Sequence, residues 1–118
     1  MAYQEWKKLV RGKIIPRLKA KGITVISSIV GDFLGQDRFS REKLVEESKE
    51  LLNAKTREEV LMEAADVADW FGQVLAVNKI SPEELARARA EKTAKNGEVG
   101  FEYLESTDEP DAPNGQPK

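Results

Sequence analysis

Apolar residues along this chain recur mostly three and four positions apart, the spacing of one face of an α-helix. Leu9, Val10, Ile14 and Leu18 set the pattern first and predict a helix from residue 3 to about residue 20, with Pro16 kinking or shortening it and Gly22 stopping it. Leu44, Val45, Ser48, Leu51 and Leu52 form the inner stripe of a second helix, from about Ser40 to Ala54. A third opens on Thr56-Arg57-Glu58-Glu59, where a hydroxyl and a carboxylate can satisfy the free N–H groups of a first turn, and runs to about Asn78. A fourth opens on a second box of this kind, Ser81-Pro82-Glu83-Glu84, and runs to about Ala94, closed by Lys95-Asn96-Gly97. The β-rich run from Ile23 to Val30 reads as a short strand or an extended linker. Residues 98–105 read as extended, with Phe101 and Tyr103 docking them on the helices. From Ser106 the chain carries no large apolar residue. The pattern is therefore an all-α domain over residues 1–105 and a disordered tail over 106–118.

The third helix departs from the simple pattern. Val60, Ala64, Val67, Phe71, Val74, Leu75 and Val77 cover most of its circumference, and a helix apolar on every side is usually buried. Glu63 and Asp66 fall among Trp70, Val74 and Val77, where a carboxylate is costly unless paired or metal-bound. The preceding helix carries Glu46, Glu47 and Glu50. If the two helices form a hairpin turning near Lys55, Glu47 and Glu63 share a level, Glu50 lies a turn nearer the loop and Asp66 a turn beyond. Acids gathered in this way call for a compensating charge, and a hard divalent cation such as Mg²⁺ suits an all-oxygen donor set. The competing readings are a solvated acidic face, or pairing with Lys43, Lys49 or Arg57.

Composition narrows the chemistry. The chain of 118 residues has no cysteine and no histidine, which excludes disulfides, thiolate metal sites, imidazole bases and the commonest zinc ligands. A net charge of −2 gives no general nucleic-acid-binding surface. No apolar stretch is long enough to span a bilayer, and residues 1–8 lack the apolar core of a signal peptide, so the cytoplasm is the expected location.

Glu46-Glu47-x-x-Glu50 followed by Glu63-x-x-Asp66 resembles the signature of the MazG-like nucleoside triphosphate pyrophosphohydrolases. These belong to the all-α NTP pyrophosphatase superfamily, with the dimeric dUTPases and phosphoribosyl-ATP pyrophosphohydrolase. Lys8-Leu9-Val10-Arg11-Gly12-Lys13-Ile14 is similar to the KLVRDKIP opening of one branch, called phosphoribosyl-ATP pyrophosphohydrolase-like. Lys92 and Gly100-Phe101-Glu102-Tyr103-Leu104-Glu105 resemble its ending. Gly12 stands where the branch has Asp, and an extra Ile15 shifts Pro16 by one. The resemblance implies a four-helix-type bundle with a short extended C-terminal segment. It also implies hydrolysis of a (d)NTP between its α- and β-phosphates, giving the monophosphate and pyrophosphate in nucleotide-pool house-cleaning. With it come Mg²⁺ (or Mn²⁺) on Glu47, Glu50, Glu63 and Asp66, Glu46 as a supporting or water-orienting carboxylate, and assembly as a homodimer or homotetramer.

Lys8, Arg11 and Lys13 form a basic stretch suited to phosphate, and Lys92 and Lys95 could close over it from the last helix. The alternatives are an exposed helix face and charge complementarity to a helix C-terminus. Trp70 could stack on a base or belong to the core. Two rival functions remain at this level: phosphoribosyl-ATP hydrolysis in histidine synthesis, and a non-catalytic helical module that binds a nucleotide or a protein.

Overall fold

The computed structural model describes residues 4–108; the N-terminal three residues, and most of the segment read as a disordered tail, lie outside it. Its elements are all helical: α1 Ile14–Ala20, α2 Phe33–Leu52, α3 Arg57–Val77 and α4 Pro82–Asn96. No strand occurs among the described residues, so the β-rich run from Ile23 to Val30 is an extended linker. The chain divides into two units, one ending at Glu84 and one starting at Leu85, inside the first turns of α4. No helix among the described residues is long and apolar enough to cross a membrane.

Local chemistry explains the helix ends. Asp32 caps α2 by accepting from the Gly35 N–H at 2.9 Å, and this starts the helix at Phe33, well before the Ser40 expected from the apolar stripe. Thr56 caps α3 by accepting from the Glu59 N–H at 3.1 Å, while the Glu59 carboxylate turns back to the Lys55 N–H at 2.9 Å. Ser81 and Glu84 close a reciprocal box at the start of α4. The first helix is far shorter than the expected span from residue 3. An N–H is missing at Pro16 and its ring would collide with the carbonyl a turn earlier, so a helix can hold it only in its first turn, and α1 begins at Ile14. Upstream, Lys7 sits at φ 44°, outside any right-handed helix.

α1 and α3 end alike. The residue past the cap is left-handed, Gly22 at φ 80° and Lys79 at φ 56°, and the N–H groups of Ile23 and Ile80 reach back to the carbonyls of Leu18 and Leu75. This is the Schellman motif. Gly22 occupies that backbone region without penalty, whereas Lys79 carries a Cβ into it.

In the first unit α2 and α3 are the helices that pack together, antiparallel across the short link of residues 53–56. The seam is built on Trp70, at 7% exposure the buried apolar residue of the described chain, and on Ser40, at 0%. Gln73 Nε2 donates to Ser40 Oγ at 2.9 Å, satisfying the buried hydroxyl. Near the far end Asn78 Nδ2 donates to Asp37 Oδ1 at 2.7 Å. Inner positions of α2 are thus Ser40, Leu44, Glu47 and Leu51. Val45, Ser48 and Leu52, expected in that stripe, are exposed. They belong, with Leu34, to a second stripe roughly a third of a turn around the helix.

α3 repeats this division. Its Trp70 side meets α2, while Val60 and Phe71 stay exposed about a quarter turn around and Leu61 is exposed on the side opposite Trp70, contrary to the expectation that a helix apolar all round is buried all round. In an antiparallel pair the two second stripes point to the same side of the hairpin. One broad face is therefore apolar and open, and the opposite face carries the charges.

The second unit holds the rest of α4, ended by Gly97 at φ 89°, and residues without regular structure to Asp108. Phe101 and Tyr103, expected to dock this segment, are exposed.

Replacing Lys79 by Gly removes the left-handed strain at the end of α3. K79G should stabilise the fold by about 0.5–1 kcal/mol, a few degrees in a thermal melt followed by circular dichroism, whereas a β-branched K79V should lower the midpoint.

Candidate metal centre

The seam that buries Trp70 also buries acid. Glu47, on the inner side of α2, is only 6% exposed, and Glu63 enters half-buried from α3. Glu50 lies one turn along α2 from Glu47, at an exposed position. One carboxylate oxygen from each of Glu47, Glu50 and Glu63 lies within 4.8 Å of the other two. Glu47 Oε2 and Glu63 Oε2 are buried with no hydrogen-bond partner. Buried carboxylate oxygens are normally satisfied, and two unpartnered ones beside a third acid form a donor set that could accept a cation.

The electrostatics follow. Burial pushes the Glu47 carboxyl above its ordinary value of 4.5, and the hydrogen bond shared with Glu50 adds to this. Lys43 opposes the shift through a contact of 3.3 Å. Glu46 behaves oppositely. Lys43 Nζ at 2.5 Å and Lys8 Nζ at 2.7 Å both donate to it and hold its carboxyl below the usual range. Lys43 is itself kept protonated by Glu46 and Glu47 although burial opposes its charge, and its ammonium stands 5.7 Å from the centre of the Trp70 ring.

Asp66 stands apart from the three converging acids. Its Oδ1 accepts from Arg11 Nη2 at 2.7 Å, and the same nitrogen meets Asp69 Oδ2 at 2.9 Å. These bonds push the Arg11 pKa up. Of the four acids expected to share a metal, the structure thus gathers Glu47, Glu50 and Glu63 and commits Asp66 to Arg11. Glu46 lies beside the cluster under two ammonium groups.

Among the basic candidates, Lys8 and Arg11 are spent on acids of the two helices, and Lys13 is exposed at the start of α1. Lys92 and Lys95 are exposed on α4, in the second unit. Trp70 is taken up by the core and covered by Lys43, so its ring is not offered to a base. Of the residues named as rival partners of the acids, Lys43 is the one that fills that role, and its three- and four-residue spacing to Glu46 and Glu47 was the legible signal. Trp6 and Phe39, both partly exposed, line a surface pocket of about 220 Å³ with Lys7, Lys8, Glu42, Lys43 and Glu46; Phe39 had no expected role, whereas Trp6, like Trp70, was a candidate for stacking on a base.

No protein-family model, curated protein or solved structure matches this chain.

Removing the buried charge tests the electrostatics directly. An acid whose folded pKa is raised destabilises the fold increasingly as pH climbs from its unfolded value through its folded one. Glu47→Gln should therefore raise the melting temperature at neutral pH in the presence of EDTA, and the gain should vanish on acidification below the ordinary Glu value of 4.5. The lowered Glu46 has the opposite sign. Glu46→Gln should cost stability at neutral pH, a loss that fades as acid protonates the wild-type side chain.

Proposed function

We propose that this protein is a Mg²⁺-dependent nucleoside triphosphate pyrophosphohydrolase, which cleaves between the α- and β-phosphates to release a monophosphate and pyrophosphate. The observation that carries the proposal is the convergence of Glu47, Glu50 and Glu63 on one small volume, with two buried carboxylate oxygens lacking partners. The donors are all hard oxygens on rigid helices, and they fit Mg²⁺ or Mn²⁺. The likeness of the two acidic motifs and of the basic opening to the MazG-like enzymes supplies the reaction. The four-helix-type bundle of that superfamily, action on cellular nucleotide pools and a cytoplasmic location belong to the same proposal.

Glu47, Glu50 and Glu63 would hold the cation, with Asp66 next in reach along α3 once free of Arg11. A cation held there would supply positive charge that offsets the negative charge developing on the phosphates. The remaining work falls to this chain's own side chains. Glu46, kept ionised by Lys43 and Lys8, is the carboxylate placed to support the site or orient a water. Lys8, Arg11 and Lys13 supply positive charge for the phosphates.

The rival reading, a non-catalytic module, has one observation in its favour: Glu46 and Asp66 are already satisfied by cations. A phosphate-release assay separates the two. With Mg²⁺ and a panel of canonical and modified (d)NTPs plus phosphoribosyl-ATP, pyrophosphate should appear from one or more nucleotides and stop on adding EDTA. Glu50→Gln and Glu63→Gln should each lower kcat at least about a hundredfold while the fold persists. Release confined to phosphoribosyl-ATP would place the protein in histidine synthesis. A folded, Mg²⁺-supplied protein inert toward the whole panel is the module.

A homo-oligomer is part of this proposal. The open apolar face made by Leu34, Val45 and Leu52 of α2 and Val60 and Phe71 of α3 is the surface a second copy would cover, supplying the further helices of a bundle. Light scattering should give a multiple of the 13.2 kDa chain mass, and Val60→Asp with Phe71→Asp should shift it to the monomer. A monomeric wild type at micromolar concentration would remove this element of the proposal.

A further inference from the structure

The basic segment before α1 is tied to the acidic face in a particular way. Residues 4–13 are not helical, and Lys8 and Arg11 reach different helices: Lys8 takes Glu46 of α2, and Arg11 takes Asp66 and Asp69 of α3. Leu9 and Val10 between them are half-buried. The segment therefore straps across both helices on their charged side. Its anchors flank the convergent acids, since Glu46 adjoins Glu47 and Asp66 lies one turn beyond Glu63. Both anchors are ion pairs whose side chains stay a third or more exposed, and Arg11 serves its two aspartates from a single nitrogen rather than through a bidentate fork. Such contacts are weak and easily exchanged.

We infer that this segment is an electrostatic strap, which stands in for a divalent cation on the acidic face and changes partners, from carboxylate to phosphate oxygens, when a cation and a polyphosphate arrive. The inference rests on the metal-dependent reading above and adds the order of events. While Asp66 holds Arg11, its Oδ1 is occupied and it stays outside the group of converging acids. A doubly charged ion on Glu47, Glu50 and Glu63 repels Lys8 and Arg11 and competes for the acids that hold them. A triphosphate then offers the displaced guanidinium paired oxygens that match its planar donor fork better than two separate aspartates do. Cation binding thereby arms the phosphate contacts, and before it arrives the basic groups are kept occupied. The strap favours a ligand that brings metal and several anionic oxygens together.

The test uses metal without turnover. Calorimetric titration with Mn²⁺ alone should show several-fold tighter binding to Arg11→Ala, and a smaller gain for Lys8→Ala, because a resident competitor has been removed. Arg11→Lys, which keeps the charge, should restore the wild-type value. Inorganic triphosphate added to the Mn²⁺-loaded proteins should bind at least tenfold more weakly to both alanine variants. Trypsin should cut the wild type after Lys8 or Arg11 faster with Mn²⁺ present, and slower again once triphosphate is added. Unchanged or weaker Mn²⁺ binding by both alanine variants, with wild-type circular dichroism, overturns the strap even if the enzyme turns over nucleotides. Wild-type protein that binds no Mn²⁺ overturns the metal centre itself, and the strap with it.

Discussion

Acid in a helix seam is the constraint around which this molecule is arranged. Glu47 and Glu63 point carboxylates into the contact between α2 and α3, where water cannot satisfy every oxygen, and Glu50 brings a third charge to the same volume. Left alone, such a group would splay the helices apart or take up protons. The chain answers with cations placed at the margins. Lys43 sits between Glu46, Glu47 and the Trp70 ring, Lys8 covers Glu46 from outside, and Arg11 covers Asp66 and Asp69. The centre gathers three carboxylates around Glu47 Oε2 and Glu63 Oε2, two buried oxygens without partners, and this is the feature on which the proposed cation site rests.

That arrangement divides the hairpin into two faces with different fates. The charged face is occupied by the chain's own N-terminal segment. The apolar face, with Leu52 81% exposed and Val60 43%, has no cover from within the first unit. Within the first unit each helix of the hairpin has one apolar stripe engaged and a second left exposed.

Much of this was legible along the chain. The boxes at Thr56 and Ser81 announced the starts of α3 and α4, because capping depends on residues within one turn. The convergence of Glu47, Glu50 and Glu63 followed from helical spacing and one short turn, both local quantities. Errors arose where the pattern was right but its partner was not yet known. Val45 and Leu52 share the apolar spacing of Leu44 and Leu51, and nothing local says which of two adjoining stripes meets α3. The start of α2 was missed because Phe33 to Phe39 carries its apolar residues toward open sides, where periodicity gives no inward stripe to follow.

The sequence by itself determined an all-helical chain, the ends of its last two helices, the absence of imidazole and thiol chemistry, and an acidic motif on each of two neighbouring helices. Only the tertiary structure decided which acids meet and which are already answered. Asp66 has the same three-residue spacing to Glu63 that joins Glu47 to Glu50, yet it goes to Arg11, which lies 55 positions away in the chain. Trp70, as plausible in sequence for a base platform as for a core, became the core because Lys43 and the α2 seam enclose it. Helix periodicity and capping act within a few residues, whereas charge pairing and burial depend on what the folded chain brings alongside.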